Sequence, residues 1–213
     1  MRPVRKSPMT GMPPRVFLLS PAKAAGQRMG YLLRSGAAFT LARQFQQEGA
    51  ALGELFQFGS GLYFRGKLAY ARTFARPPRG APGALAIVPG RGLLDVETTL
   101  TPADLRAMAE VPVDVREPRY RLPLERDARG LLGKLGESGE VVLLGSIATG
   151  KYAEVLVAIF GDRLLFPPSF VGRGDMSRGG LLLRSVRAEE ELPYAPLRGA
   201  VRHGPRPPKL GSY

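Results

Sequence analysis

A chain of 213 residues with 44% hydrophobic and 23% charged residues has the composition of one globular domain with tails, long enough to bury a core. It has no cysteine and one histidine, His203. That excludes disulfides, thiolate metal sites and thiol nucleophiles, and a single histidine near the C-terminus argues against a Ser-His-Asp triad or a multi-histidine metal site within one chain. The formal net charge of +13 draws the protein toward polyanions.

Residues 1–15 hold four prolines and show no hydrophobic periodicity, so a disordered basic arm is expected there. Val16–Leu19 is a short buried strand stopped by Ser20-Pro21. A helix is expected over Ala22–Leu33, and Phe39, Ala42 and Phe45 repeat at helical spacing after it. Leu55-Phe56-Gln57-Phe58 suits a brief strand or turn. Over 61–75, Tyr63, Lys67, Tyr70 and Phe74 fall on one helical face, and Arg76-Pro77-Pro78-Arg79-Gly80 ends that helix. Ala84–Val88 is a second buried strand running into the tight turn Pro89-Gly90-Arg91-Gly92. Thr101-Pro102-Ala103-Asp104 is a helix start, with a capping threonine, proline in the first turn and a favourable acid. A helix over 125–135 precedes a third strand, Glu140–Leu144, and a further helix runs from about 150 to Gly161. Arg163–Phe166 and Leu181–Val186 suit two more strands, with a wide glycine-rich hairpin loop between them. The alternation of strands and helices predicts a single three-layer α/β domain over 16–197, with a mostly parallel central sheet and helices on both faces. Residues 198–213 form a basic, proline-rich tail.

The two flanks, 1–15 and 198–213, carry eight of the 31 basic residues and no acid, so much of the excess charge sits on short segments. Nucleic acid is the expected partner, with DNA favoured over RNA. Arg2, Arg5 and Lys6 are followed by prolines and Gly11 rather than an apolar stretch, and no run approaches the roughly 20 apolar residues of a membrane helix. A cytoplasmic protein with no membrane association is therefore expected, and no cofactor or metal.

Three glycine-rich or aromatic–basic stretches could carry chemistry. Gly145-Ser146-Ile147-Ala148-Thr149-Gly150-Lys151-Tyr152 follows a strand and opens a helix, as a phosphate-binding loop does, with Gly145, Gly150 and Lys151 at the matching positions. Tyr152 stands where a magnesium-ligating Ser or Thr belongs, which argues against an NTPase and for a phosphate contact or a plain turn. In Gly172–Gly180, Arg173 and Arg178 can pair with phosphates, and Asp175 is the one acid within reach. In Gly61–Tyr70, aromatics interleaved with Arg65 and Lys67 could stack bases and hold phosphates, while helical spacing suits a core face.

A fourth stretch carries a resemblance. Phe17-Leu18-Leu19-Ser20-Pro21-Ala22-Lys23 resembles the opening strand and loop of the bacterial peroxide-stress YaaA family. Ala86–Leu94, Asp95 and Tyr120-Arg121-Leu122 are similar to that family's later strand with its Gly-Leu-Leu turn, acidic position and Tyr-Arg-Leu segment. A similar order occurs in the uracil-glycosylase-like domain of RNA-modification enzymes. The spacing between the last two blocks is longer here than in YaaA, and Gly172–Gly180 has no counterpart. The resemblance implies an α/β core, a nucleic-acid partner and a role in DNA protection under oxidative stress.

These observations lead to a nucleic-acid-binding protein in which Lys23, Arg28, Arg91, Lys151, Arg173 and Arg178 hold phosphates near the strand ends. The alternative is a glycosylase-like hydrolase acting on a base or nucleotide. There Asp95 or Asp175 activates water and Tyr63 or Tyr120 stacks the base. One aspartate beside an aromatic in a basic pocket favours the enzyme; a flat basic face favours the binder. A third reading is a protein-interaction domain whose arginine content has no nucleic-acid role.

Overall fold

The computed structural model describes residues 12–148 and 150–208. In chain order it contains β1 (Arg15–Leu19), α1 (Gln27–Leu33), α2 (Thr40–Glu48), β2 (Ala50–Ala51), α3 (Leu52–Ser60), α4 (Leu62–Phe74), β3 (Ala84–Val88), β4 (Gly92–Asp95), β5 (Thr99–Leu100) and α5 (Pro102–Ala109). It continues with α6 (Pro118–Lys134), β6 (Glu140–Leu144), α7 (Ala153–Phe160), β7 (Leu164–Phe166), α8 (Asp175–Ala188) and β8 (Ala195–Pro196). Six strands form the main sheet in the order β4-β3-β1-β6-β7-β8, and β2 pairs with β5 alone. The four central strands are parallel; β4 and β8 join the edges antiparallel.

The α/β prediction holds, and strand alternation shows why. Along β1, Phe17 and Leu19 enter one core with Ala86, Val88, Val142 and Leu144. Val16 and Leu18 enter the other with Leu85, Ile87, Val141 and Leu143. A strand buried on both faces reads as a continuous apolar run, as these three do. The first core is covered by α1 to α5 and α8, the second by α6 and α7. The capping box at Thr101 forms as expected, with Asp104 returning the bond to the Thr101 amide.

Two element predictions are corrected. Leu55–Phe58 lies inside helix α3, with Leu52, Leu55 and Phe56 buried at helical spacing. Leu181–Val186, read as a strand, is the body of α8, and Gly174–Gly180 is its start rather than a hairpin loop. Short apolar runs do not distinguish the two states by themselves. Here the buried set Arg178, Gly179, Leu182 and Ser185 repeats with the helix. The glycines serve the crossing of α8 with α4. A Cβ at Gly66 would stand 2.7 Å from the Gly179 carbonyl oxygen, and one at Gly179 would stand 2.8 Å from that of Leu62.

The helix expected over Ala22–Leu33 begins only at Gln27, and that expected at 125–135 begins at Pro118. Arg15, counted with the arm, is the first residue of β1; residues 1–11 of the arm and 209–213 of the tail lie outside the described residues. The rest of the tail is anchored: Arg198 pairs with Asp162 at 3.2 Å, Arg202 with Glu154 at 3.3 Å, and Arg173 donates to the Pro208 carbonyl at 3.3 Å. Among the described residues, no helix is long and apolar enough to cross a membrane.

Candidate functional site

The chain leaves β1 toward β3 through helices on one face, and leaves β6 toward β7 through α7 on the other. Neighbouring parallel strands whose connections part in this way open a crevice at their carboxyl ends, where α/β sheets bind ligands. The last bond between them runs from the Ser20 amide to the Leu144 carbonyl at 3.1 Å. Past it, Pro21 cannot donate to a ladder and the two loops separate. A cavity of about 590 Å³ lies there. Its walls come from Ser20–Ala25, from Ser60, Tyr63 and Lys67 at the α3–α4 junction and in α4, from Pro89, from Met108, Ala109 and Val111–Val113, from Ser146, Lys151 and Tyr152, and from Asp175 at the start of α8.

Lys67 stands at the centre of its inner wall. Only 1% exposed, it emerges from the aromatic face of α4. Its Nζ donates to the Ser20 carbonyl at 2.7 Å and to Ser20 Oγ at 2.9 Å. It also lies 4.6 Å from the Tyr63 ring centroid and 4.7 Å from that of Phe64. Burial pulls its pKa down to about 7; Asp175 pushes the other way and Arg178 adds to the fall. An amine so placed exchanges its proton near neutrality.

Two tyrosines flank it. Tyr63 is buried, and its hydroxyl has no hydrogen-bond partner among the described residues. Burial pushes its pKa well above the ordinary tyrosine value, so it stays protonated as a donor. The Tyr152 hydroxyl donates to the Ser146 carbonyl at 2.8 Å and lies beside Ser20. Burial is the largest cause pushing its pKa up to about 12. Gly145 makes this meeting possible: a Cβ there would stand 2.7 Å from the Ser20 Cβ and 2.8 Å from the Tyr152 hydroxyl.

Asp175 is the carboxylate at the mouth, its side chain 69% exposed and 3.3 Å from Nη1 of Arg178. Arg178 is itself buried and donates through Nε to the Phe170 carbonyl at 3.2 Å. Arg173 folds back on the Ser169 carbonyl at 2.9 Å and Ser177 Oγ at 3.2 Å. These two arginines brace the start of α8 and so place Asp175.

The structure thus brings together Lys23, Tyr63, Gly145, Lys151, Asp175 and Arg178, drawn from four separate stretches. It leaves others apart. Asp95 pairs in register with Leu85 near the start of β3, because the β3–β4 hairpin carries it back to the amino ends of the strands. Its Oδ1 accepts the Glu97 amide at 3.0 Å, a turn-forming contact. Tyr120 is fully buried in the second core and presents no ring to a ligand. Arg91 is paired with Asp104. The Arg28 guanidinium lies beside Gly61, where an added Cβ would come within 3.1 Å of it. The Glu154 carboxylate lies beside Gly150, 2.8 Å from where a Cβ would stand. The residues that sequence reasoning missed are Ser20 and Tyr152, with Lys67 assigned to the core or a phosphate. Their signal was a single cation on an otherwise aromatic helical face.

Comparison of the chain with family models, curated proteins and solved structures finds no match.

Proposed function

We propose that the protein is a hydrolase acting on the glycosidic bond of a nucleotide, free or within a nucleic acid. The base enters the cavity against Tyr63. Lys23 and Lys151 hold phosphate, and Asp175 orients the water that attacks the anomeric carbon. The observation that supports this reading is the convergence of one carboxylate, a buried tyrosine and lysines on a single cavity at the carboxyl ends of β1 and β6. Its volume is that of a small-molecule site. The test is release of free base from nucleoside monophosphates and from DNA and RNA oligonucleotides, followed by chromatography. Wild type should release base, Asp175→Asn should lose at least about a hundred-fold in rate, and Lys23→Ala with Lys151→Ala should act mainly on KM.

The net charge of +13 favours a second reading, a nucleic-acid binder without chemistry, in which the same lysines hold backbone phosphates. A role in DNA protection belongs to this reading. It predicts no base release, binding that falls steeply with salt, and no effect of Asp175→Asn. Neither base release nor salt-dependent binding would defeat both.

A further inference from the structure

The hydrolysis proposed above leaves one requirement unmet by Asp175. A nucleobase departs poorly as an anion and needs a proton as its bond to the sugar breaks. Asp175 stands at the mouth, on the water's side. The inner wall holds a different pair, Ser20 Oγ and Lys67 Nζ, 2.9 Å apart and facing the same cavity. Resting on the glycosidic reading, we propose that Ser20 hands a proton to the leaving base and that Lys67, behind it, resupplies that proton.

Several features support the pair as a relay. Among the described residues Lys67 has no carboxylate within hydrogen-bonding distance, its Nζ donating instead to the Ser20 carbonyl and hydroxyl, so no ion pair fixes its charge there. The groups that face it are Ser20 from the end of β1, Tyr63 from α4, and Asp175 and Arg178 from α8, with Tyr152 reaching Ser20 from beyond β6. Desolvation penalises the ammonium form, so loss of the proton is eased by the same burial that places the amine. Ser20 Oγ accepts from Lys67 and keeps its own O–H to give, to the Tyr152 hydroxyl beside it at rest and to a base bound in the cavity. Gly145 keeps room for this hydroxyl, since a side chain there would collide with it.

The step balances. Water adds its oxygen to the anomeric carbon and gives a proton to the Asp175 carboxylate. The electron pair of the carbon–nitrogen bond goes to the base, which takes the Ser20 proton. The Lys67 proton moves to Ser20 Oγ, leaving a neutral amine. Solvent then takes the proton from Asp175 and returns one to Lys67.

The test separates the leaving-group proton from everything else in the site. The full chain is assayed on a nucleoside monophosphate and on the para-nitrophenyl glycoside of the same sugar phosphate, whose leaving group departs as a stable anion. Wild type should cleave both. Ser20→Ala and Lys67→Met should each lose at least about a hundred-fold in kcat on the nucleotide and less than about ten-fold on the nitrophenyl substrate. Asp175→Asn should lose heavily on both. The wild-type rate on the nucleotide should fall as pH rises through about 7, and the nitrophenyl rate should not follow it. Equal losses on the two substrates, or no loss on either, would make the pair structural and overturn the relay while leaving the hydrolase standing. Failure of wild type to cleave either substrate would defeat the parent reading and the relay with it. Thermal melting of each variant confirms that it is folded.

Discussion

The two ends of β1 each face a cation, half-buried Arg15 at one and buried Lys67 at the other, and they treat it in opposite ways. At the amino end, Arg15 is held by Glu140 at 2.5 Å and Glu191 at 2.7 Å, with its guanidinium 4.7 Å from the Tyr194 ring centroid. Arg76 shares Glu191, the Tyr70 and Tyr194 hydroxyls meet at 2.6 Å, and the Leu192 amide donates to Tyr70 at 2.7 Å. At the carboxyl end, five residues on, Lys67 donates to a carbonyl and a hydroxyl, and among the described residues the Tyr63 hydroxyl has no hydrogen-bond partner. The first cluster spans β1, β6, α4 and the segment after α8, and ties them together. The second leaves donors pointed into a cavity. A buried polar group without a partner costs stability, and under the reading proposed above a bound ligand would supply the partner that the Tyr63 hydroxyl lacks among the described residues.

The largest expected effect breaks this comparison at its root. Arg15→Met leaves Glu140 without its cation and Glu191 with Arg76 alone, and should lower stability by about 3 kcal/mol, read as a shift in urea midpoint at unchanged slope. Lys67→Met removes a poorly partnered buried amine of similar volume and should leave stability unchanged or raise it by about 1 kcal/mol. Equal losses from the two would mean both ends are structural.

The next effect is on pH. The Lys67 pKa is lower in the folded than in the unfolded protein, so between about 7 and the ordinary lysine value of 10.5 the unfolded chain binds the extra proton. Stability should therefore rise with pH above about 7, by up to about 1.4 kcal/mol per unit, and level off below. Lys67→Met should remove that slope. Arg15, whose pKa is raised by its two glutamates against the cost of burial, stays charged throughout and contributes none. Chemical denaturation from pH 6 to about 9 reads both.

The smallest effects differ in sign. Tyr70→Phe should cost about 1 kcal/mol, because the Tyr194 hydroxyl and the Leu192 amide lose a partner. Tyr63→Phe should be neutral or stabilising by a few tenths, because its hydroxyl has no partner among the described residues to lose.

The sheet was legible because Val16–Leu19, Ala84–Val88 and Val141–Leu144 are apolar on both faces, as a central parallel strand must be. The α8 helix was not, because Leu181–Leu183 is too short a run to show a period and its glycines suggest a loop. Their real use, close passage of α4, is a tertiary fact. The site was half legible for the same reason. Asp175, Tyr63, Lys23 and Lys151 stand in stretches marked by glycine or charge. Asp95 looked equivalent until the β3–β4 hairpin carried it to the other end of the sheet. Ser20 carries no mark of its own; only the packing of α4 against β1 sets Lys67 over it.

The most direct test of the carboxyl-end cavity as the ligand site is a titration of the labelled full chain with nucleoside monophosphates, followed by backbone amide chemical shifts. The account predicts saturable shifts confined to Ser20–Ala25, the Tyr63–Lys67 turn of α4, Ser146–Tyr152 and Gly174–Ser177. Shifts spread over the basic tail and the surface of α6, with those four segments still, would contradict it.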